Sequence, residues 1–150
     1  MKGSIFVCAL LASACLAEPN YVNSNRWNWS KNIQFSTDWV IRPENGRELA
    51  KLIKAHDQHK GEVYIRPYGS AHSFNSNADT NGIHLSLEEM RTITYDEDTQ
   101  KVTFGAGVNY TWLIEELAKH GRAIRNLPSL PRLNIVGSVS TGTHGSGIQN

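Results

Sequence analysis

The sequence predicts an α+β fold with strands in both directions. Short runs of β-branched and aromatic residues predict strands, and two longer segments have apolar residues at the spacing of amphipathic helices. The predicted order is strand, helix, strand, loop, several strands, helix, strand and loop, which is typical of the α+β class. A chain of 150 residues is also long enough to bury a hydrophobic core.

The first predicted elements are a strand and a helix. Residues 20–38 are polar with interspersed tryptophans, and we expect an irregular arm that packs its aromatic rings against the domain. Residues 39–41 predict a short strand. Apolar residues then recur at i, i+3, i+4 and i+7 from Leu49, which predicts a helix over 46–59 that ends at Gly61.

The remaining predicted strands are short and lie at residues 63–66, 83–87, 90–95, 101–104 and 123–124. Pro67 and Gly69 are expected to break the first of them. Residues 83–87 alternate between apolar and polar side chains, which indicates a strand. The next two strands flank a turn-rich connection and predict a hairpin.

The second predicted helix covers residues 110–120. Asn109 can cap its first turn, and Gly121 ends it. After it, two prolines keep residues 127–131 extended, because proline and the residue before it are unfavourable in a helix.

Residues 69–75 have the character of a ligand-binding loop. Gly69, Ser70 and Ala71 are small, so the backbone can approach a ligand and successive main-chain N–H groups can converge on an anion. His72 follows directly, and its imidazole can serve as a base, a metal ligand or a covalent attachment point. The alternative is that His72 is a hydrogen-bonding surface residue.

A second stretch of small residues spans 136–147. It contains five hydroxyl side chains, with His144 among them. Two such loops, each with one histidine, suggest one extended ligand whose phosphate is held against backbone. Neither the G-x-G-x-x-G dinucleotide spacing nor the P-loop lysine is present. Alternatively, both loops are tight turns packed against each other. For His144 itself, direct contact with the ligand and a hydrogen-bonding role behind the ligand-contacting residues both stay open.

Two groups of histidines are compatible with a metal ion. His56 and His59 lie three residues apart on the predicted helix, and His72, His84 and His144 would have to converge. Neither group has the carboxylate or cysteine neighbours that a convincing site needs. We therefore expect no metal ion.

Residues 1–17 predict a secretory signal peptide, so the mature chain is expected outside the cell. The apolar run is too short to cross a bilayer, and small residues precede Glu18. Cys8 and Cys15 both lie in this segment, so the mature chain has no cysteine. A buried N-terminal helix and a lipidated Cys15 are the alternatives. A net charge of +1 gives no reason to expect nucleic acid or an acidic membrane as a partner.

Four motifs resemble flavoprotein oxidoreductases of the vanillyl-alcohol-oxidase type, which have the PCMH-type FAD-binding fold. They are residues 28–32 (NWSKN), Pro43 with the following helix, residues 66–75 and residues 126–147. The nearest resemblance is to alditol oxidases and to sugar-lactone oxidases such as gulonolactone oxidase. It implies that residues 18–150 are the N-terminal part of such a domain in a longer enzyme.

The resemblance also implies the site residues. His72 occupies the position that is bonded covalently to the flavin 8α-methyl carbon, and the pyrophosphate of FAD would lie on the 69–73 backbone. Ser129 would approach the flavin and the substrate as a catalytic residue. The implied FAD contacts are Arg66, Tyr68, Gly69, Ser70, Ala71, His72, Ser73, Gly137, Ser138, Thr141, His144, Gly145 and Ser146.

The implied reaction is oxidation of a CH–OH group in a polyol or sugar lactone. Hydride would pass to flavin N5, and dioxygen would reoxidise the flavin to give hydrogen peroxide. The family's substrate pocket comes mainly from a later domain, so this chain alone is expected to be inactive. The alternatives are a dehydrogenase of the same fold with another electron acceptor, and a truncated secreted product without catalysis.

Overall fold

The structure is a computed structural model that describes residues 20–21, 25–58 and 64–148. The chain divides into two compact units, the first ending at Glu89 and the second beginning at Met90. The predicted signal peptide, His59 and the predicted helix end at Gly61 lie outside the described residues. Within those residues, no helix is long and apolar enough to cross a bilayer.

The first unit is built on a sheet to which the described residues contribute four strands. In sheet order these are β1 (Asn20–Tyr21), β2 (Trp39–Ile41), β4 (Ile83–Ser86) and β3 (Ile65–Tyr68). Strands β2 and β3 run parallel to β4, whereas β1 runs antiparallel to β2. The mixed directions agree with the predicted α+β class.

Strand β4 is central and buried on both faces. All four of its residues are buried, including the polar His84 and Ser86. Such burial is typical of a strand with parallel neighbours on both sides. The alternating pattern therefore predicted the strand correctly, although its polar residues do not face solvent.

Strand β3 corrects one prediction, because Pro67 does not end it. The strand runs on to Tyr68, and Pro67 lies opposite Leu85 in register with β4. Since β3 is the edge strand of the described sheet, the missing N–H of Pro67 is tolerated.

Helix α1 (Gly46–Gln58) confirms the predicted amphipathic helix. The Asn45 side-chain Oδ1 accepts hydrogen bonds from the backbone N–H groups of Arg47 and Glu48, both at 3.1 Å, and so caps the first turn. Leu52 packs against the sheet, and the core cluster consists of Ile41, Leu52, Ile83 and Leu85.

The arm before β2 is irregular between residues 25 and 38, as predicted. Its tryptophans, however, are not packed away from solvent: Trp27 is 44% exposed and Trp29 is 59% exposed. Phe35 is the aromatic residue of this arm that is buried.

The second unit begins with the predicted hairpin, β5 (Ile93–Asp96) and β6 (Lys101–Phe104). Helix α2 (Tyr110–Lys119) follows, with Asn109 Oδ1 accepting from the Trp112 N–H at 3.0 Å. Both the asparagine cap and the stop near Gly121 are confirmed. The buried core of this unit consists of Val108, Tyr110, Leu113, Leu117 and Ile135.

Two predictions for the second unit are wrong. Residues 123–124 form no strand, and the first part of the 136–147 stretch is helix α3 (Ile135–Ser140) instead of a loop. Asn134 caps α3 by accepting from the Gly137 N–H at 3.0 Å. This cap and the burial of Ile135 offset the low helix propensity of the valine, glycine and serine residues.

Candidate functional site

The 69–75 loop of the first unit is held by a turn at residues 28–33. Asn28 is only 3% exposed, and its Oδ1 accepts from the backbone N–H groups of Asn32 and Ile33 at 3.1 Å each. The Asn28 Nδ2 group donates to the Ser73 carbonyl at 2.8 Å. One buried amide therefore shapes the turn and fastens it to the loop.

Two more hydrogen bonds join this turn to the loop. The Trp29 N–H donates to the Ala71 carbonyl, and Asn32 Nδ2 donates to the Phe74 carbonyl, both at 2.8 Å. A trans peptide directs its N–H opposite to its carbonyl, and the described chain has no cis bond. The N–H groups of His72 and Asn75, which follow these carbonyls, therefore point away from the turn. On that side they can meet an anion.

Ala71 has a backbone conformation that is unusual for a residue with a Cβ. Its φ is 56°, in the left-handed region, which costs a non-glycine residue roughly 1–2 kcal/mol. The hydrogen bond to its carbonyl helps to hold this conformation. The strained residue directly precedes His72, and local strain of this kind is concentrated at functional sites.

His72 is half-buried and stacks on Trp29. The ring centroids are 4.5 Å apart, and the planes differ by 23°. Burial lowers the pKa of His72 below its usual 6.5, so the imidazole is neutral at pH 7 and one ring nitrogen has a free electron pair for bonding.

The other predicted site residues of the first unit lie around this loop. Gly69 and Ser70 are exposed, as is Arg66, whose Nη1 donates to the Asn77 carbonyl at 3.1 Å. Tyr68 is half-buried and turns its ring towards His84, with centroids 4.8 Å apart. Gly69 and Ser70, between Tyr68 and Ala71, are therefore accessible to a ligand.

The buried His84 pairs with the half-buried Arg26, a contact that sequence reasoning missed. Arg26 Nη1 lies 3.1 Å from His84 Nδ1, and its guanidinium lies 4.8 Å from the centre of the Tyr68 ring. Because arginine only donates, Nδ1 accepts, and the proton resides on Nε2, which donates to the Ala78 carbonyl at 2.8 Å. His84 thus contacts Tyr68, just before the loop, and Ala78, just after it.

In the second unit, the predicted site residues divide between helix α3 and the segment after it. Ser138 is 5% exposed, and its hydroxyl donates to the Asn134 carbonyl at 2.9 Å. The Thr141 hydroxyl likewise donates to the Gly137 carbonyl at 3.0 Å. Both hydroxyls therefore bond to carbonyls four residues earlier, in α3 and its capping residue.

Gly145 is packed tightly against the 127–131 segment, which is neither helix nor strand. A Cβ added at Gly145 would lie 2.1 Å from the Leu127 carbonyl oxygen, so only glycine fits. Three other predicted site residues, His144, Ser146 and Ser129, are exposed. The structure thus brings the 127–131 segment and the Gly145 region together.

The described residues contain no group of three or more His, Cys, Asp or Glu side chains that could hold a metal ion. His84 is committed to Arg26 and Ala78, and His56 lies 3.7 Å from Asp57. The expectation that the two small-residue stretches share one ligand stays a prediction.

Comparison with known proteins identifies the family. The FAD binding domain family matches residues 37–150. The chain belongs to this family. An alditol oxidase of Streptomyces sp. is 37% identical over 82% of this chain and 29% of its own length, and the L-gulonolactone oxidase of Mus musculus is 29% identical over 82% and 28%. A crystal structure of cholesterol oxidase from B. sterolicum has a TM-score of 0.73 at 26% identity, covering 85% of this chain and 25% of that one.

These findings confirm the resemblance and the PCMH-type FAD-binding fold that it implied. They also show that the chain spans under a third of the length of these two relatives. The donors fit the phosphates of FAD, because neither 69–75 nor 135–147 contains an Asp or Glu and the loop N–H groups described above point away from the 28–33 turn. The residues that would hold the cofactor are therefore chemically suited to it.

Proposed function

We propose that the native protein carrying this chain oxidises a CH–OH group of a polyol or sugar lactone with bound FAD. The likeness to alditol oxidase, at 37% identity over 82% of the chain, is the main support. FAD, when bound, supplies the hydride acceptor. The substrate loses two electrons and two protons as CH–OH becomes C=O, and dioxygen takes them up to form hydrogen peroxide.

The backbone of residues 69–73 would hold the pyrophosphate, and His72 would be the covalent attachment point. A bond from an imidazole nitrogen to the 8α-methyl carbon replaces one methyl hydrogen and the imidazole N–H proton. The two electrons released pass to dioxygen, which again becomes hydrogen peroxide. The lowered pKa of His72 supports this role, because a nucleophilic nitrogen needs its lone pair.

The 137–146 region would contribute mainly backbone to the cofactor. The hydroxyls of Ser138 and Thr141 are already bonded to helix carbonyls, whereas His144 and Ser146 are exposed and accessible. Ser129 is exposed on the neighbouring 127–131 segment, and we assign it to the substrate side of the flavin.

The test is flavin fluorescence of the native protein on a denaturing gel. A fluorescent wild-type band that is dark in His72→Ala supports the attachment, and His56→Ala is the matched control that stays fluorescent. A dark wild-type band contradicts the covalent bond. Absence of flavin from the native protein favours a non-catalytic product instead.

Turnover is tested with polyols and aldonolactones while oxygen consumption and peroxide are measured. Consumption of one dioxygen and formation of one peroxide per substrate supports the oxidase. Turnover only with an artificial electron acceptor points to the dehydrogenase of the same fold.

We further propose that residues 1–17 are removed and that the mature protein is secreted. The support is the sequence pattern alone. N-terminal sequencing of protein from the culture medium should start at Glu18, and a protein retained in cells with Met1 would contradict secretion.

A further inference from the structure

Trp29 is not among the proposed FAD contacts, yet it touches the proposed attachment residue. Its indole stacks on His72, with centroids 4.5 Å apart and planes within 23°. Because 59% of the Trp29 residue surface remains exposed, burial in the core does not account for the position of this ring. The contact that the exposed Trp29 indole makes is its stack on the His72 imidazole.

The backbone of Trp29 also restrains the chain next to His72. Its N–H donates to the carbonyl of Ala71, the residue with φ 56° that precedes His72. The neighbouring Asn28, at 3% exposure, donates from Nδ2 to the Ser73 carbonyl and so fastens the chain on the other side of His72. Ring and main chain of Trp29 therefore both restrain His72, one at the side chain and the other at the backbone.

This contact has a consequence for reactivity. An imidazole on a surface loop would otherwise sample several rotamers. With one face covered by indole, His72 presents only its other face and its edge, in a fixed orientation. Formation of a bond depends strongly on such orientation, since small misplacements of a reacting group can slow a reaction by orders of magnitude.

We propose that Trp29 is a positioning residue that orients His72 for flavin attachment, an inference that rests on the proposed role of His72. The indole takes no part in the transfer. The imidazole nitrogen gains the bond to the 8α carbon, the methyl group loses a hydrogen, the imidazole loses its N–H proton, and dioxygen accepts the two electrons.

The stack itself is measured without flavin. The native protein is prepared flavin-free with ¹³C at histidine Cε1, and the His72 signal is identified by its loss in His72→Ala. Trp29→Leu should move this signal downfield, because the ring current of the indole disappears. Trp27→Leu, a partly exposed tryptophan of the same arm, is the matched control and should leave it in place. An unmoved signal in Trp29→Leu overturns the inference.

The attachment rate is then measured by adding FAD to the flavin-free protein and following in-gel fluorescence with time. Trp29→Leu should slow attachment roughly tenfold or more at saturating FAD, with the half-saturating FAD concentration unchanged. Trp29→Phe keeps an aromatic face and should restore most of the rate, and Trp27→Leu should match wild type.

The outcomes separate the two proposals. Equal attachment rates in wild type and Trp29→Leu overturn the positioning role while His72 attachment stands. The same holds if Trp29→Phe is as slow as Trp29→Leu, because the aromatic face is then irrelevant. A wild-type protein that never becomes fluorescent overturns the proposed attachment and the role of Trp29 with it.

Discussion

The two small-residue stretches look alike in sequence but are held in different ways. The 69–75 loop is fixed from outside, through three of its carbonyls, by a turn that centres on the buried Asn28. The 135–147 segment is fixed mainly by local bonds, since the preceding Asn134 caps α3 and the Ser138 and Thr141 hydroxyls bond to carbonyls four residues earlier in the chain. Small residues therefore permit a binding loop without determining what holds it in place.

The largest expected difference is between the two asparagines. Asn28→Ala should lower the free energy of unfolding of the first unit by about 3 kcal/mol, because buried N–H and carbonyl groups lose their partners. Asn134→Ala should lower that of the second unit by about 1–2 kcal/mol, as a lost helix cap does. Urea unfolding followed by circular dichroism measures both, and equal losses would contradict the distinction.

The second prediction concerns the packing of the 135–147 segment. Gly145→Ala should destabilise by about 2–3 kcal/mol, because its Cβ would meet the Leu127 carbonyl at 2.1 Å and backbone cannot easily move away. Gly137→Ala is the matched control within the same region. It meets Asn134 Oδ1 only at 3.6 Å and should stabilise the helix by about 0.5–1 kcal/mol. Thermal melting should show opposite signs, and a loss of stability in both would show that Gly137 is also constrained.

Local patterns in the sequence predicted both long helices, the hairpin and the α+β class, because helix periodicity, caps and turns depend on neighbouring residues. The anchoring of the 69–75 loop could not be predicted in that way. Asn28 and Ser73 are 45 positions apart, and Arg26 and His84 are 58 apart. Pro67 shows the same limit of local patterns, since proline is tolerated in β3 because this strand lies at the edge of the described sheet, a property of the strand order.

The third prediction is that the stability of the first unit depends on pH through His84. Burial lowers the pKa of His84 below its ordinary 6.5, and the positive charge of Arg26 lowers it further. The unfolded chain therefore binds a proton that the folded chain excludes. The contribution of neutral His84 to the free energy of unfolding is fully present above pH 6.5. It is lost as the pH falls through the folded-state pKa, and the free energy of unfolding then decreases by up to about 1.4 kcal/mol per pH unit.

The charged groups around His84 are Arg26, Arg66 and Asp79. The hydrogen bond to the Ala78 carbonyl and the charge of Asp79 raise the pKa of His84, whereas both arginines lower it. His84→Asn can still accept from Arg26 but cannot titrate, so the slope of stability against pH between 6.5 and 5 should become shallower. His72→Ala also removes a group with a lowered pKa. The slope of stability against pH is measured in this variant too, so that the contributions of the two histidines can be compared. An unchanged slope in His84→Asn would place the pH dependence elsewhere.

The smallest effect compares the two regions at their left-handed residues. Ala71 has φ 56° and Gly142 has φ 65°. Ala71→Gly relieves roughly 1–2 kcal/mol of strain but adds about 0.5–1 kcal/mol of backbone entropy to the unfolded chain, so the free energy of unfolding should stay the same or rise by up to about 1.5 kcal/mol. Gly142→Ala introduces that strain, with no atom within 4 Å to clash, and should destabilise by about 1 kcal/mol.

Flavin attachment makes this last pair informative. If the conformation of Ala71 serves only the fold, Ala71→Gly should attach flavin at the wild-type rate. If it serves to present His72, the freer glycine backbone should slow attachment even though the protein melts at the same or a higher temperature. We expect the second result, because Trp29 holds the Ala71 carbonyl and the His72 ring together.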